Sequence, residues 1–236
     1  MIDLFDYFDD VVCITIYENF ERKELLCKKL QEANIKDNIR FDISCKFPQW
    51  MRNSSFQQML RTNYINFEGC QGVYSTIRHF ILLNELLNND SNKRVLILED
   101  DIVFRKDYNV TKYYLDRMPE DADIIQFDYN LITAVKNKNG DYLRVDSGDK
   151  CFCAGANVYS RRGIELMIKY LDTHSCSIID CANWQMLKSS NPPKLYIPNQ
   201  ALCCQKYNQD NRGDNISKES LYEIYRKNGT NVEDFV

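Results

Sequence analysis

Arg94-Val95-Leu96-Ile97-Leu98-Glu99-Asp100-Asp101-Ile102 joins four consecutive aliphatic side chains to three consecutive carboxylates. An unbroken aliphatic run of this length reads as a strand buried on both faces, the kind found in parallel sheets covered by helices. The change of character after Leu98 is abrupt. Three adjacent carboxylates at a partly desolvated strand end repel one another, so something positive is expected to compensate them. If strand geometry persists, alternation puts Glu99 and Asp101 on one side and Asp100 on the other. Two carboxylates on one side at the carboxyl edge of a sheet suit a hard divalent cation, with oxygens from a ligand completing its shell. In open α/β sheets ligands sit beyond the carboxyl ends of the strands, which is where this triplet falls. The bland alternative is a solvated acidic strand end. The Asp-x-Asp-x-Thr pattern of metal-dependent phosphatases is not met, because Glu99-Asp100-Asp101-Ile102-Val103 lacks the leading Asp and the Thr.

Working outward, residues 11–16 form a second β-rich apolar run, followed by a helix over 22–33 and a strand over 38–44 in which Ile39, Phe41 and Ile43 alternate. Residues 46–68 read as an irregular excursion or short helices. Val73, Ile77, Phe80, Ile81 and Leu87 fit helical spacing over 72–87. Beyond the acidic triplet come a weak helix over 111–118 ended by Pro119, a strand over 123–127 and an Asn139-Gly140 hairpin between 133–136 and 142–145. A strand over 151–159 follows. Ser160 then caps a helix to about Leu171, with Ile164, Met167, Ile168 and Leu171 on one face. A short helix over 178–187, strands over 195–197 and 201–204, and a capping-box pattern at Ser220-Leu221-Tyr222-Glu223 complete the chain. Strand–helix alternation predicts an α/β fold with a mostly parallel, partly mixed sheet and helices on both faces. With no Pro/Gly/Ser linker, one domain over 1–236 is expected.

Composition narrows the function. The 236 residues carry 30 Lys+Arg against 34 Asp+Glu, a net charge of −4, which argues against general nucleic-acid binding. Only 8 glycines occur, about half the usual ~7 %, and neither G-x-G-x-x-G nor G-x-x-x-x-G-K-[ST] is present. A metal bridge is therefore the more plausible device for neutralising phosphates. The two histidines, His79 and His174, leave few candidates for imidazole chemistry. The start of the chain is acidic and no apolar run approaches the ~18 residues of a membrane span. With 10 cysteines and no export signal, the expectation is a cytoplasmic protein with free thiols. Contact with a membrane surface is left open.

The acidic strand resembles the central motif of glycosyltransferase family 25, where a carboxylate triplet replaces the Asp-x-Asp of other GT-A enzymes. Further pieces follow in the family's order. The opening strand over 11–16 with Arg22-Lys23, then Gly69-Cys70 with Ser75 and His79, are similar to its first elements. Ala154-Gly155-Ala156-Asn157-Val158-Tyr159-Ser160-Arg161-Arg162-Gly163 resembles its small-residue strand entering a Ser-Arg-x-Gly helix. Ile178-Ile179-Asp180 and the segment 198–205 resemble later elements, while Thr15-Ile16-Tyr17 stands where the family has Asn-Leu. The resemblance implies a GT-A-like Rossmann-type fold and a metal-dependent inverting glycosyltransferase. It would move a hexose, galactose first and glucose second, from a UDP-sugar to a hydroxyl of a glycan, glycolipid or protein. Asp101 with Glu99 would hold Mn²⁺ or Mg²⁺, and Thr15, Tyr17, Arg22, Glu99 and Asp100 would contact the nucleotide. The nucleotide-sugar half would span about 11–130, the acceptor half 131–216 and a helical tail 217–236. The rival functions are a non-catalytic nucleotide-sugar or glycan-binding protein and a metal-dependent phosphoryl-transfer enzyme.

Other residues carry two readings each. Asp180, flanked by Ile178, Ile179 and Cys181, is either a helix cap or the general base for an acceptor hydroxyl, with Asp128 as the second candidate. Arg22 meets a phosphate or pairs with Glu18 or Glu21. Arg161-Arg162 reads first as a solvated helix start. Trp50, Tyr129 and Trp184 are packing residues before they are sugar-stacking surfaces. The cysteines lack any C-x-x-C pair and read as buried thiols rather than zinc ligands.

Overall fold

The structure, a computed structural model, describes residues 1–16, 20–44, 71–131, 140–174, 179–205, 223, 225–226 and 229–236. Strand β1 (Asp10–Ile16) leads through helix α1 (Phe20–Glu32) into β2 (Arg40–Ser44). Helix α2 (Gln71–Leu87) precedes β3 (Arg94–Glu99). The apolar stripe of α2 puts Ile77, Leu82, Leu83 and Leu86 into the core, and Val95 to Leu98 of β3 are completely buried. Next come β4 (Ile102–Phe104), helix α3 (Tyr108–Leu115), β5 (Ile124–Gln126), β6 (Asn130–Leu131), β7 (Tyr142–Arg144), β8 (Cys151–Phe152) and β9 (Ala156–Ser160). Helices α4 (Arg161–Thr173) and α5 (Ile179–Gln185) and strands β10 (Leu195–Pro198) and β11 (Cys203–Gln205) follow.

Seven strands form one mixed sheet in the order β2-β1-β3-β9-β5-β10-β7. The β2–β1, β1–β3 and β5–β10 pairs are parallel, whereas β9 is antiparallel to both β3 and β5, and β7 is antiparallel to β10. The strands β2, β1, β3, β5 and β10 therefore all point one way, and their carboxyl ends share one edge. Two short antiparallel ladders, β11–β4 and β6–β8, lie outside the main sheet. Among the described residues no helix is long and apolar enough to cross a membrane.

Most expected elements appear within a few residues of their expected bounds. The stretch 151–159 is a difference: it is not one strand but β8 and β9 separated by Cys153-Ala154-Gly155. Cys153 takes a positive φ of 115°, which no run of β-formers announces and which tertiary contacts must hold in place. Strand β4 was not expected, because three apolar residues directly after a charged turn give too short a signal. The α3 helix starts earlier than expected, at Tyr108, because Asp107 caps it by accepting the Asn109 N–H at 2.9 Å. Gly140 has the positive φ of a turn, 114°, and β7 follows it, but the other hairpin arm at 133–136 lies outside the described residues. The excursion over 46–68 and Ser220 to Tyr222 lie outside them as well.

Entry into α4 is specified locally. Ser160 Oγ accepts the Gly163 N–H at 3.0 Å. A Cβ at Gly163 would stand 2.0 Å from the Asp123 carbonyl oxygen, so glycine lets the first turn of α4 sit directly on the start of β5. Arg162 pairs with the buried Asp123, and Arg161 with the exposed Asp90 at 3.1 Å.

Candidate active site

Strand β3 ends at Glu99, and Asp100 and Asp101 form the turn into β4. The three carboxylates part company there. Asp100 turns toward β1 and α1, where its Oδ2 accepts the Thr15 hydroxyl at 2.7 Å and its Oδ1 meets Arg22 Nη1 at 3.0 Å. The compensating cation for Asp100 is thus Arg22, in a part-buried ion pair. Glu18, one of the two glutamates expected beside Arg22, lies outside the described residues. Tyr17, expected beside Thr15, lies outside the described residues.

Glu99 turns the opposite way. Its Oε1 accepts the Ser75 hydroxyl of α2 at 3.0 Å, and its Oε2 accepts Nε2 of Gln205 on β11 at 3.5 Å. Burial pushes its carboxyl well above the usual range, and the nearby charges of Asp101 and Asp180 push it further, against the pull of the Ser75 bond. Asp128 follows β5 and is completely buried. Its Oδ1 accepts the Tyr225 hydroxyl at 3.0 Å, while Oδ2 has no hydrogen-bond partner among the described residues. Burial first, then Asp101 and Asp180, raise it to about 8, the Tyr225 bond opposing. Burial thus favours the protonated form of Asp128 far more than that of an ordinary carboxyl. Glu99, Asp101, Asp128 and Asp180 thus form one mutually repelling group, drawn from β3, the turn after it, the end of β5 and the start of α5. Among the described residues neither Glu99 nor Asp128 has an ion-pair partner.

The backbone of Cys153 to Gly155 is the junction of this group. The Cys153 N–H donates to the Asp180 carbonyl at 3.3 Å, and the Ala154 N–H donates to Asp180 Oδ1 at 2.9 Å. The Gly155 carbonyl accepts the Glu99 N–H at 2.8 Å. Gln126 Nε2 donates to the Cys153 carbonyl at 2.6 Å and so helps hold the unusual conformation there. A Cβ at Gly155 would fall 2.3 Å from Ile102 Cδ1 and 2.9 Å from Asp128 Oδ2. Only glycine leaves room for the crossing. On the far side, the Thr76 hydroxyl accepts the Ile179 N–H at 2.8 Å and ties the start of α5 to α2.

The donor set, all carboxylate oxygen with an excess of negative charge, has the chemistry that a hard divalent cation takes. Among the described residues no group of three or more His, Cys, Asp or Glu is arranged to hold a metal by itself. Asp101 with Glu99 would supply two ligands and leave the rest of the shell to water and phosphate oxygen, the usual manner for Mg²⁺. His79 is buried with Nδ1 2.9 Å from the Ser75 carbonyl, and burial lowers it to about 4, so it is a neutral packing group. Tyr129 is also internal, its hydroxyl bonded to the Pro198 carbonyl at 2.8 Å. Trp184 is half-buried edge-on to Phe152. His174 stacks on Tyr170 at the surface, and Cys13, Cys27, Cys151, Cys153, Cys181, Cys203 and Cys204 are free thiols. Trp50 and Cys176 lie outside the described residues.

In open α/β sheets ligands bind beyond the carboxyl ends of the strands, where this carboxylate cluster lies, and the site rather than the fold decides the chemistry. No family model matches the chain, and no curated protein matches it. Among solved structures it is similar to a glycosyltransferase involved in glycosylation of the major capsid of PBCV-1, at 10 % identity and a TM-score of 0.46, over 93 % of this chain and 98 % of that one. It is similar to the galactosyltransferase LgtC in complex with donor and acceptor sugar analogues, at 11 % identity and 0.42, over 92 % and 95 %. It is also similar to the glycosyltransferase GlyE of Streptococcus pneumoniae TIGR4, at 12 % identity and 0.41, over 91 % and 59 %. Likeness at this level assigns neither substrate nor reaction.

Proposed function

We propose that the chain is a GT-A-like glycosyltransferase that transfers a hexose, galactose by the family 25 resemblance, from a UDP-sugar to a hydroxyl of a glycan, glycolipid or protein. The observation that carries this reading is the divergence of Glu99 and Asp100 at the end of β3. It makes two neighbouring environments, one of Thr15, Arg22 and Asp100 and one of Glu99, Asp101, Asp128 and Asp180. The first is suited to the nucleotide: Thr15 and Asp100 offer polar contacts to a nucleoside, and Arg22 a charged fork for phosphate. Tyr17 would join them. The second is suited to the reacting end.

Asp101 and Glu99 would hold Mn²⁺ or Mg²⁺, which when bound neutralises charge gathering on the departing diphosphate. Asp180 is the leading general base. It is half-exposed at the start of α5, where the Ala154 N–H holds one of its oxygens at 2.9 Å. Its carboxylate would take the acceptor hydroxyl proton as that oxygen bonds to the anomeric carbon and the diphosphate leaves, which inverts the centre. Asp128, the second candidate, is completely buried, which suits a supporting role better than a base for an incoming hydroxyl. Residues 11–130 would then be chiefly donor-binding and 131–216 chiefly acceptor-binding.

The test is UDP release and sugar transfer from a panel of UDP-sugars, with and without Mn²⁺. Asp180→Asn is expected to cut transfer by roughly 10²–10⁴-fold with donor binding nearly unchanged. A parallel loss of donor binding would make Asp180 a structural or donor-side residue. Binding without any turnover would favour a nucleotide-sugar-binding protein, and release of inorganic phosphate from simple phosphoesters would favour phosphoryl transfer.

A further inference from the structure

Residue 225 is far from the site in sequence, 97 positions from Asp128, yet it reaches the middle of the carboxylate group. The Tyr225 side chain is fully buried and its one polar atom does two jobs. The hydroxyl donates to Asp128 Oδ1 at 3.0 Å and accepts the Gln205 N–H at 2.9 Å. Gln205 in turn donates its side-chain amide to Glu99 Oε2 at 3.5 Å. One phenol therefore connects the buried acid behind the cluster to the strand that supports Glu99.

The residues that follow hold Tyr225 in place. The Thr230 N–H donates to the Tyr225 carbonyl at 2.9 Å, across a turn in which Gly229 has φ of 76°. Beyond it, the Val236 N–H donates to the Phe104 carbonyl at 3.2 Å, and Lys106 Nζ donates to the Glu233 carbonyl at 2.8 Å. Arg105 sits over the Phe235 ring at 4.9 Å, meets Asp234 at 3.4 Å and donates to the Ala201 carbonyl at 2.6 Å. Phe104 ends β4, the strand that leaves the acidic turn, so this segment is anchored on the same short ladder, β4–β11, that borders the site.

We propose that Tyr225 is a positioning residue of the carboxylate site, and that residues 229–236 brace it there rather than forming a surface tail. What the site does rests on the glycosyltransferase reading above; the positioning role does not. A role in packing alone would be met by phenylalanine. The hydroxyl fixes which oxygen of Asp128 faces the Cys153–Gly155 junction and holds β11 where Gln205 reaches Glu99. Without it, the part-buried Gln205 N–H and the buried Asp128 Oδ1 lose their partner together.

The test compares Tyr225→Phe with Tyr225→Ala. In Mn²⁺-dependent UDP release from UDP-galactose, Tyr225→Phe is expected to stay folded and lose about tenfold or more in kcat, with KM within about twofold. Wild-type kcat in Tyr225→Phe, with loss only in Tyr225→Ala, would reduce Tyr225 to packing and overturn the proposal. If the unmodified protein releases no UDP, the glycosyltransferase reading fails and the positioning role is decided separately. The readout is then a thermal cycle of Tyr225→Phe, Asp128→Ala and the double variant. Non-additive Tm changes are expected; strictly additive ones would overturn the link.

Discussion

Asp128 shows how a single residue's setting becomes a measurable property. It is fully buried, has one hydrogen-bonded oxygen and titrates at about 8 in the folded chain, against an ordinary value near 3.8. Between those two values the folded state keeps a proton that the unfolded chain has lost, so stability falls as pH rises through this window. In protein stripped of metal, Asp128→Asn is expected to flatten the fall in Tm from pH 4 to pH 8, to which Glu99 contributes a slope of the same sign. Parallel Tm curves for the two proteins would show that Asp128 is ionised in the fold. The sequence marked Asp128 only as an acid after a strand, because its depth depends on Tyr225 and Gly155, both distant in the chain. The family 25 resemblance marked Thr15, Arg22 and Asp100 as neighbours of a nucleotide, but the bond of Thr15 to Asp100 needs the register of β1 against β3, which no local pattern contains.

Strand β3 was legible because four aliphatic residues and then three acids leave few other readings. The Cys153–Gly155 crossing was not, since small residues in a β-rich run look like strand until the packing around them is known. Two glycines separate what each crossing does. Gly163 abuts the Asp123 backbone at the start of β5, and Gly155 abuts Ile102 and Asp128. Gly163→Ala is expected to cost about 1–3 kcal/mol of stability, because the facing atoms are backbone. UDP affinity in that variant should not change, since the contact is at the opposite end of β5 from Asp128. Gly155→Ala is expected to lower both stability and UDP affinity, as it displaces Asp128 and the strand end beside Asp101. Chemical denaturation and calorimetry on the two variants check this; equal loss of affinity in both would show that the junction has no special tie to the site.

The whole molecule is arranged so that the two halves read from the sequence share one sheet. Strand β9, from the second half, is inserted antiparallel between β3 and β5 of the first. Strands from both sides of residue 130 therefore alternate within the central sheet. Strand–helix alternation predicted the parallel part but could not place β9, because insertion of a strand between two others is decided by long-range pairing. This arrangement brings Asp180 and the Cys153–Gly155 junction from the second half to the end of β3 from the first. On the proposed function, this shared edge is a metal-assisted nucleotide site built on Asp101. Calorimetric titration of UDP into the protein and into Asp101→Asn, each with Mn²⁺ and with chelator, tests it most directly. The account predicts UDP binding that requires Mn²⁺ in the unmodified protein and is lost in Asp101→Asn, whose thermal unfolding remains cooperative. UDP binding of equal strength with and without Mn²⁺, or unchanged in Asp101→Asn, would contradict it.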